Sequence, residues 1–594
     1  MERRVLVAIF LSFLVLYAYQ AFFVKPAPKP ATTGSAPAGP TASQGGTTTQ
    51  PATGSTTSSA SSTAATPPAA GAAASGIAPT LVAPPPADAT QVIGAAEERD
   101  LSIETPHVVA VFTNRGARLK SWRLKAYKDI HGEPLELVAT ELAGTHPLPF
   151  SLRVDDEAVT GTLNGALYKV QGSVPDGSQT ASAPVTFEYQ DNTGLHVVKQ
   201  FTLDPATYTV TLRATITQGD RVVRPTIVWG PGLGDNDSQT GRYAVKPGGL
   251  FASAGKVTRV TTSAVGTKPA YEQDFDYAGI DDHYFTALAL KTGTAKLTYQ
   301  GVSIPPPAGS KDPARELMSY SIEPTRDGPV TFYAGPKDFD TLAAINRDYV
   351  KAINFGMFSI IVVPLLRSLN WIHGFVGNYG WSILVLTVFI NLVLFPLNHK
   401  SVVSMRKMQE IQPETKAIQE RYAKLKATDP AKQKMNQELM QLYRDRGVNP
   451  ASGCVPILLT LPVFLAFYSL LTTAIELRGA PFVGWIHDLS QPDPYYVMPV
   501  LVGISQIVTQ WMTPQAGVDP TQQKMMLIMP IVLIFVFVST PSGALIYWLV
   551  GNIWRLGQQY LTNYLIGPPN IRTIRPAAER RVKRVGSGKT EGAS

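Results

Sequence analysis

The sequence predicts a polytopic α-helical membrane protein with six spans, joined to a large antiparallel β-sandwich domain outside the cytoplasm. Three observations predict this fold class. The chain of 594 residues contains several apolar runs that are long enough to cross a bilayer. A long stretch between the first run and the others alternates apolar and polar residues, with the period of a half-buried strand. Only 16% of the residues are charged, and Lys and Arg are concentrated in a few segments.

Composition excludes some kinds of site. The single cysteine, Cys454, excludes an intramolecular disulfide and a metal site built from several cysteines. A formal net charge of +8 would indicate nucleic-acid binding if it were spread over a soluble surface. We find no motif for a metal or a cofactor, and we expect neither, nor DNA or a small-molecule substrate.

The N-terminus predicts a membrane anchor. Residues 5–24 are 20 consecutive residues without a charge, and as a helix they reach about 30 Å, the thickness of a hydrocarbon core. A cleaved secretory signal is the alternative, but the run is longer than a signal core and no A-x-A-like cleavage site follows. We therefore interpret residues 1–24 as an uncleaved signal-anchor span, with Arg3 and Arg4 in the cytoplasm.

A linker and a β domain follow the anchor. Residues 25–96 are rich in Pro, Ala, Thr, Ser and Gly, and such a segment buries too little apolar surface to order its backbone. We expect it to be a disordered tether. Residues 97–345 contain recurring strand-like runs and predict an antiparallel β-sandwich. The clearest runs lie at 107–113, 196–203, 207–216, 224–230, 295–304 and 330–335.

The second half of the chain predicts membrane helices. Its apolar runs lie at 381–397, 455–474, 495–512, 525–540 and 543–561. Several contain a proline, which spans tolerate because neighbouring helices satisfy the freed backbone groups. We expect the second span at 381–397, spans three to six within 451–567, and a basic tail at 568–594.

A charged segment separates the second and third spans. Residues 398–450 hold 11 basic and 6 acidic residues and predict a cytoplasmic helical hairpin. Its arms are expected at about 400–426 and 431–446, because turn residues lie between them. Pro413 is expected to kink the first arm.

The distribution of charge predicts the topology. The N-terminus, the hairpin and the C-terminal segment together carry +12, while the remaining segments carry −4. Lys and Arg in short loops near span ends mark the cytoplasmic side, so both termini and the hairpin are expected there. A span at 352–371 would move the hairpin to the outside. We therefore expect residues 346–380 to form an amphipathic helix in the outer membrane–water interface.

Several long motifs occur in one order along the chain. They are Asn449-Pro450-x-x-Gly453-Cys454-x-Pro456 before LPVFLAFY (461–468), WIHDLSQPDPYY (485–496), DPTQQKMM (519–526), PSGALIYW (541–548) and WIHGFVGNYGWS (371–382). Through these motifs, and over essentially its whole length, the chain resembles the YidC/Oxa/Alb family of membrane protein insertases, in the Gram-negative form.

The resemblance implies a fold, a function and partners. It implies a periplasmic β-super-sandwich and a five-helix insertase core with a hydrophilic groove open to cytoplasm and lipid. The function implied is insertion and assisted folding of nascent membrane proteins in the inner membrane, alone or with the Sec translocon, and not an enzymatic reaction. The implied partners are nascent membrane proteins, the ribosome, the Sec translocon and the lipid bilayer.

Polar side chains inside the predicted spans are the candidates for the groove. Intramembrane polar residues usually face a bundle interior or a cavity, and interhelical hydrogen bonding is the alternative role for each. The candidates are Thr387, Asn391, Ser505, Gln506, Thr509, Gln510, Tyr547, Trp548, Asn552 and Arg555.

One candidate departs from the family pattern. The family carries a basic residue in the second span, but the position aligned through TVFINLVLFPL is Asn391, which is uncharged. Arg555 lies in the last span at a similar depth, about 15–18 Å from the outer ends of the two spans. We hypothesise that Arg555 supplies the positive charge of the groove. The alternative is an arginine that snorkels to the cytoplasmic headgroups.

The hairpin and the tail are candidate contact surfaces. A Met-rich amphipathic surface can contact varied apolar segments, whereas the alternative is a solvated, positive-inside loop. The hairpin candidates are Met405, Arg406, Lys407, Met408, Met435 and Met440. The tail resembles ribosome-contacting family tails, and its candidates for ribosome or lipid contact are Arg572, Arg575, Arg580, Arg581, Lys583 and Arg584.

Two other functions are alternatives to membrane protein insertion: a transporter or channel, and a sugar-modifying enzyme. Polar residues in spans also occur in transporters and channels, but no inverted repeat and no intramembrane acidic residue is evident. A tethered sugar-modifying enzyme is the second alternative, because the β domain of the family resembles mutarotase-like sandwiches. Its candidate histidines are scattered and pair with no carboxylate by motif: His107, His131, His146, His196 and His283.

Overall fold

The structure is a computed structural model. It describes residues 90–129, 131–171, 179–180, 184–234, 245–306, 314–422, 430–448, 455–512 and 520–567. The predicted anchor (1–24), the predicted tether up to residue 89, the Asn449–Cys454 part of the first motif and the predicted basic tail (568–594) lie outside these residues.

The first half of the described chain is rich in β-strands. The strands are β1 (Gln91–Ile93), β2 (Asp100–Glu104), β3 (Val108–Thr113), β4 (Arg118–Lys128), β5 (Pro134–Glu136), β6 (Ser151–Arg153), β7 (Lys169–Gln171), β8 (Gln179–Thr180), β9 (Val185–Asp191), β10 (Leu195–Leu203), β11 (Thr209–Gln218), β12 (Arg221–Val223), β13 (Thr226–Trp229), β14 (Gly248–Ser253), β15 (Lys256–Val260), β16 (Ala270–Asp281), β17 (Phe285–Ile304), β18 (Arg315–Pro324) and β19 (Val330–Pro336).

These strands form two sheets that pack face to face. The larger sheet has 14 strands along the path β1-β9-β10-β11-β19-β17-β16-β14-β15, with β6, β7, β12, β13 and β18 paired beside it. The smaller sheet has the order β5-β4-β3-β2-β8, in which only β2 and β8 pair in parallel among the described strands. The ring of Phe112 in the smaller sheet lies 4.6 Å from that of Phe201 in the larger sheet. The predicted β-sandwich is therefore confirmed.

A buried lysine lies inside the sandwich. The sequence of β10 alternates buried and half-buried residues, and Lys199 occupies a buried position of that pattern. Its Nζ donates to the carbonyl oxygens of Gly116 at 2.6 Å, Ala117 at 3.2 Å and Phe150 at 2.9 Å. Ala117 and Phe150 have positive φ angles of 48° and 66°. Lys199 thus ties two unusual turns to the centre of the larger sheet.

The second half of the described chain is helical. The helices of the whole described chain are α1 (Glu157–Gly165), α2 (Thr262–Val265), α3 (Phe339–Ile345), α4 (Ser359–Val376), α5 (Tyr379–Glu410), α6 (Gln412–Arg421), α7 (Ala431–Asp445), α8 (Val455–Thr473), α9 (Val497–Met512), α10 (Pro520–Phe537) and α11 (Ser542–Ile566). Short 3₁₀ turns occur at Thr140–Leu142, Arg347–Ala352, Gly356–Phe358 and Ile475–Leu477.

The second span and the start of the hairpin, which were predicted as separate segments that meet at residue 397, form one continuous helix. Helix α5 runs for 32 residues without a break, although Pro396 lies inside it; membrane helices tolerate such a proline where neighbouring groups satisfy the freed backbone. The predicted first arm then ends at Glu410, and α6 begins with Pro413 in its first turn, where a missing N–H is tolerated. The side chain of Glu438 in α7 binds Arg421 at 2.8 Å and the hydroxyl of Tyr422 at 2.7 Å. Helices α6 and α7 thus pair at the predicted hairpin.

Length and composition identify a limited set of membrane-crossing helices. Among the described residues, Gly356–Val376 and Tyr379–Glu410 are long and apolar enough to cross a membrane by these criteria. The segments Thr460–Thr473, Val497–Met512 and Ile528–Phe537 are shorter apolar helices. The six-span arrangement, and the interfacial position of the first of these segments, stay predictions.

A buried charged cluster joins the sandwich to the helical half. Asp281 at the end of β16 binds Arg259 at 2.7 Å and Lys337 at 3.2 Å. Arg259 also donates to the carbonyl oxygen of Ala352, which precedes α4. Asp281 and Lys337 are both buried, so this cluster fixes the position of the chain where it leaves the β domain before α4.

Candidate functional site

Helix α11 is the central element of the helical half. It packs against α5, α8 and α9, while α10 packs on α9. The N-terminal end of α11 is fixed to the loop before α9, because the backbone N–H groups of Ser542 and Gly543 donate to the carbonyl oxygens of Gln491 at 2.8 Å and Leu489 at 2.9 Å. The side chains on the inner face of α11 are therefore held in fixed positions relative to α5 and α9.

The motif WIHDLSQPDPYY builds that outer loop around Asp493. This carboxylate is buried and accepts the indole N–H of Trp485 at 2.9 Å. It also accepts the backbone N–H groups of Tyr495 at 3.0 Å and Met498 at 2.6 Å. A carboxylate at a helix N-terminus satisfies unpaired N–H groups and interacts favourably with the helix dipole. Asp493 therefore fixes both the loop and the start of α9.

Polar side chains join α9 to α11. The amide of Asn552 donates to the hydroxyl of Ser505 at 2.9 Å, and both residues are buried. The indole N–H of Trp548 donates to the Gln506 carbonyl oxygen at 3.3 Å. Interhelical hydrogen bonding, the alternative role of these candidates, thus applies to all four residues. The side-chain oxygen of Asn552, Oδ1, is buried and has no hydrogen-bond partner in the described chain.

The candidates on α5 bond mainly to their own helix. The hydroxyl of Thr387 donates to the carbonyl oxygen of Ile383 at 2.6 Å, and Thr387 is fully buried. The amide of Asn391 donates to the carbonyl oxygen of Thr387 at 2.8 Å, and Asn391 is only half-buried. On α9, Thr509 donates likewise to Ser505 at 2.7 Å. Gln510 is half-buried near the end of α9.

Tyr547 and Trp548 belong to an aromatic cluster. The ring of Tyr547 stacks on Phe467 at 4.2 Å, and the ring of Trp548 meets Phe464 at 4.8 Å and Phe537 at 4.7 Å edge-on. Aromatic pairs at these separations stabilise helix packing. These two candidates therefore hold α8, α10 and α11 together in the outer half of the bundle.

Arg555 occupies an unusual position on α11. It is three residues after Asn552 and seven before Thr562, both fully buried, so it lies on the inward face of the helix. Arg555 is nevertheless exposed. The outward face is marked by Ile553 and Tyr560, which lie two and five residues away from Arg555. An exposed residue on an inward face lines an opening between helices.

Further buried polar groups lie on α5 and α11, and the sequence analysis did not select them. The described chain gives no hydrogen-bond partner to the buried atoms Trp554 Nε1, Gln558 Nε2 and His399 Nδ1. Gln558 and Gln559 are buried one helical turn beyond Arg555. The helical spacing from Asn552 through Arg555 to Gln559 was available in the sequence as a signal. These residues lie within the predicted run 543–561, but only Tyr547, Trp548, Asn552 and Arg555 were selected from it.

The hairpin candidates separate into two groups. Met440 and Lys407 are exposed, and Met405, Met408 and Met435 are half-buried. Arg406 is buried and bonded to the end of α11, to the carbonyl oxygen of Gly567 at 2.7 Å and to Oδ1 of Asn563. The tail candidates Arg572, Arg575, Arg580, Arg581, Lys583 and Arg584 lie outside the described residues.

A carboxyl group with a raised pKa lies where the β domain meets the helices. Burial raises the pKa of Glu476 to about 7, and the like charges of Asp338 and Asp340 contribute. The atoms Glu476 Oε1 and Asn370 Oδ1 are buried and have no hydrogen-bond partner in the described chain. Within the same described ranges, no group of three or more His, Cys, Asp or Glu side chains is arranged to hold a metal ion.

Comparison with known proteins decides the family. Residues 100–368 match the family described as YidC periplasmic domain, and residues 371–567 match the family described as 60Kd inner membrane protein. The membrane protein insertase YidC of Syntrophus aciditrophicus (strain SB) is 32% identical over 588 residues, which cover 95% of this chain and 99% of that protein. The chain belongs to the YidC family of membrane protein insertases.

Other YidC relatives agree with this assignment. The membrane protein insertase YidC of Citrifermentans bemidjiense is 33% identical over 573 residues, which cover 95% of this chain and 99% of that protein. A solved structure described as an active YidC insertase with the first transmembrane domain resolved is 21% identical. It covers 82% of this chain and 96% of that chain, with a TM-score of 0.33. The resemblance drawn from the motifs is confirmed, as is the expectation of an inner-membrane insertase rather than an enzyme.

Proposed function

We propose that the protein inserts nascent membrane proteins into the inner membrane through a groove between α5, α9 and α11, and assists their folding. The observation that carries this proposal is the exposure of Arg555 on the otherwise buried face of α11. An arginine at this depth is unfavourable in hydrocarbon, and such residues face a bundle interior or a water-filled cavity. The opening around Arg555 is thus best explained as a hydrated groove.

The physical task of an insertase explains why such a groove is needed. Apolar segments enter lipid favourably, but a polar flank that crosses with them loses its hydration. Moving an unpaired amide or hydroxyl into hydrocarbon costs roughly 2–7 kcal/mol, and a charged group costs far more. A groove lined by Asn391, Asn552 and Arg555 replaces part of that lost hydration and shortens the path through lipid.

Unpaired polar atoms support the same interpretation. Oδ1 of Asn552 and Nε2 of Gln558 are buried without a partner in the described chain, and both residues are within one turn of Arg555. Buried polar groups are normally hydrogen-bonded, so an orphaned pair on one helical face indicates water or a ligand. A polar flank of a nascent chain supplies both donors and acceptors.

Contacts of α4 support the proposed six-span topology with both termini in the cytoplasm. The guanidinium of Arg367 lies 5.1 Å from the ring of Phe339, and the amide of Asn370 lies 3.4 Å from Asp340. Phe339 and Asp340 belong to α3 of the periplasmic β domain, whereas Arg367 and Asn370 lie in the middle of α4. The middle of a spanning helix would be too deep in the bilayer for such contacts. An interfacial α4 is therefore favoured.

The charge of the groove is tested by exchanging its polar residues. In a strain depleted of its own YidC protein, Arg555→Ala is expected to lose complementation, whereas Asn391→Ala and Arg555→Lys are expected to keep it. The physical reason is that Lys retains the positive charge, whereas the amide of Asn391 is already bonded to Thr387. Normal growth of the Arg555→Ala strain would instead favour the snorkelling alternative for Arg555.

Contact with the client is tested by photocrosslinking to a stalled nascent membrane protein. Crosslinkers at positions 387, 391, 506 and 555 are expected to capture the client, with the strongest capture at 555 because that position is exposed on the inward face. Ile553 serves as the matched control because it is exposed on the opposite face of the same helix. Absence of crosslinks from all four positions would reject the groove.

Contacts with the ribosome and the Sec translocon belong to the same proposal. The hairpin presents Lys407 and Met440 on its surface, and the sequence places a basic tail after residue 567. Attraction of basic residues to ribosomal RNA weakens as salt rises. Ribosome co-sedimentation is therefore expected to be salt-sensitive and to be lost on truncation at about residue 570. Binding that survives truncation would place the ribosome contact on the hairpin, whereas no binding by the full-length protein would exclude the contact.

A further inference from the structure

The buried arginine Arg406 connects two cytoplasmic elements that are far apart in the sequence. It lies in the last two turns of α5, directly before the hairpin begins at α6. Its guanidinium donates to Gly567 at the end of α11, and the predicted basic tail begins at the next residue. Arg406 is only 5% exposed, although its neighbour Lys407 is exposed. The bases of the hairpin and the tail therefore meet at one side chain.

The chemistry of this contact is that of a helix cap. Gly567 closes α11 with a φ angle of 79°, and its N–H donates to the carbonyl oxygen of Asn563 at 3.1 Å. The carbonyl oxygens at a helix C-terminus lack intrahelical partners, and a cation there also interacts favourably with the helix dipole. The planar guanidinium of Arg406 reaches a backbone oxygen of Gly567 and a side-chain oxygen of Asn563 together. A lysine offers a point charge and cannot reproduce this two-point geometry.

Both acceptors are neutral, and this gives the contact a moderate strength. Hydrogen bonds from a charged donor are stronger than neutral ones, but the acceptors here carry no opposing charge that would hold the arginine permanently. Gln559 also donates to the Asn563 oxygen, at 3.3 Å, so the acceptor keeps a partner when Arg406 moves away. A contact of this kind can open and close.

We propose that Arg406 is a latch that ties the base of the hairpin to the end of α11 and so sets the width of the groove at its cytoplasmic side. The inference rests on the proposed groove, because α5 and α11 form two of its walls. Arg406 acts through helix position and is a positioning residue. With the latch closed, the cytoplasmic ends of α5 and α11 stay together. With the latch open, these two helix ends move apart and admit a longer polar flank.

The test measures the separation of the two helices in the full-length protein. Cys454 is the single native cysteine, so a Cys454→Ser background accepts spin labels at Lys407 and Tyr564, which are both exposed. Arg406→Ala and, separately, Asn563→Ala are expected to lengthen and broaden the distance distribution. Arg406→Lys is expected to restore part of the closed population. Arg421→Ala, which removes an exposed arginine contact of the hairpin, is the matched control and is expected to leave the distance unchanged.

The double variant gives the decisive outcome. Because both substitutions break one contact, Arg406→Ala/Asn563→Ala is expected to be no wider than Arg406→Ala alone. An unchanged distribution in Arg406→Ala, or fully additive effects of the two substitutions, would overturn the latch. If the Arg406→Ala variant does not accumulate, the Asn563→Ala variant alone tests the latch, because it removes one acceptor of the contact and leaves the charge of Arg406 unchanged.

Insertion assays separate the latch from the groove. Arg406→Ala is expected to change insertion of a client with a long polar flank more than that of a client with a short flank. Wider distances with equal insertion of both clients would overturn the assigned role of Arg406, while crosslinking from Arg555 would still report on the groove. Conversely, distances that respond to Arg406→Ala as expected, together with no crosslinks from the groove positions, would reject the groove but not the contact between Arg406 and the end of α11.

Discussion

The side-chain amide of Asn552 donates to the hydroxyl of Ser505 at 2.9 Å, and this bond joins α11 to α9 within the wall of the proposed groove. Both residues are buried, and the hydroxyl of Ser505 also donates to the carbonyl oxygen of Val502 at 2.7 Å. The second polar atom of Asn552 has no partner in the described chain. One residue thus contributes to helix packing with its nitrogen and to the polarity of the groove with its oxygen.

The bond between Asn552 and Ser505 predicts a measurable loss of stability. Ser505→Ala removes the only hydrogen bond that Asn552 makes to another described helix, and interhelical bonds in membrane proteins contribute about 1 kcal/mol. We expect a lower thermal unfolding midpoint in detergent, with little change in expression. The control is Ser368→Ala, since Ser368 is half-buried on α4 and, in the described chain, bonds only within its own helix, to Pro364 at 2.8 Å. Equal midpoints for the two variants would contradict the prediction.

Asp493 predicts a larger effect on the outer loop. Asp493→Ala leaves the indole N–H of Trp485 and two backbone N–H groups at the start of α9 without their acceptor. A lost charged acceptor and a lost helix cap together cost roughly 2–4 kcal/mol. We expect protease added from the periplasmic side to cleave the loop before α9 faster than in the parent protein. Asp493→Asn keeps one acceptor oxygen and is expected to be intermediate; cleavage as slow as in the parent would contradict the cap.

The sequence predicted the β domain well where alternation was clean. All six strand-like runs are strands, including 196–203, which lies within Leu195–Leu203. Two of the long strands that were not predicted, β4 (Arg118–Lys128) and β16 (Ala270–Asp281), carry several charges on their outer face. Their inward residues are buried as in any other strand. Charged outer faces mask the apolar period, so composition alone underestimates such strands.

The candidate site was predicted in part. Helical spacing and polarity identified Asn552 and Arg555, which lie on one face of α11. The same signals also selected Thr387, whose hydroxyl bonds to its own helix, and they selected Arg406 as a surface contact although it is buried. Sequence distance cannot show which partner a polar side chain reaches, because Arg406 and Gly567 meet only after α5 and α11 have packed. The buried Glu476 was not selected, since its raised pKa arises from burial in the folded protein and from Asp338 and Asp340 of a distant segment.

Lys199 predicts a strong effect inside the β domain. Lys199→Met fills the same space but leaves the carbonyl oxygens of Gly116, Ala117 and Phe150 buried without this donor. Unsatisfied buried groups cost about 1–3 kcal/mol each, so the loss is expected to exceed that of any surface lysine. We expect a much lower yield of protease-resistant β domain from the full-length protein. The control is Lys296→Met at an exposed position of β17, and equal yields for the two variants would contradict a structural role of Lys199.

The raised pKa of Glu476 predicts how pH affects the contact between the β domain and the helices. Glu476 lies in the loop after α8, and the groups that face it are Asp338 and Asp340 next to and within α3, and Asn370 of α4. Tyr127 of β4 and Tyr379 of α5 also interact with its charge. Burial and the charges of Asp338 and Asp340 disfavour an ionised Glu476, although a hydrogen bond with Asn370 favours it. A protonated Glu476 instead offers a donor and removes the repulsion.

Stability is therefore expected to decrease as pH rises from about 4.5 to about 7. The ordinary pKa of a glutamate is 4.5 and that of buried Glu476 is about 7, so the assembled protein binds more protons than the separated or unfolded one within this window. Above about 7 this group adds no further change. Thermal unfolding of the full-length protein at pH 5, 6, 7 and 8 measures the effect, and Glu476→Gln is expected to flatten the profile by raising the midpoint at pH 8. The control is Glu272→Gln on the exposed face of β16, which is expected to keep the parental slope. A Glu476→Gln profile parallel to that of the parent would show that another group carries the pH dependence.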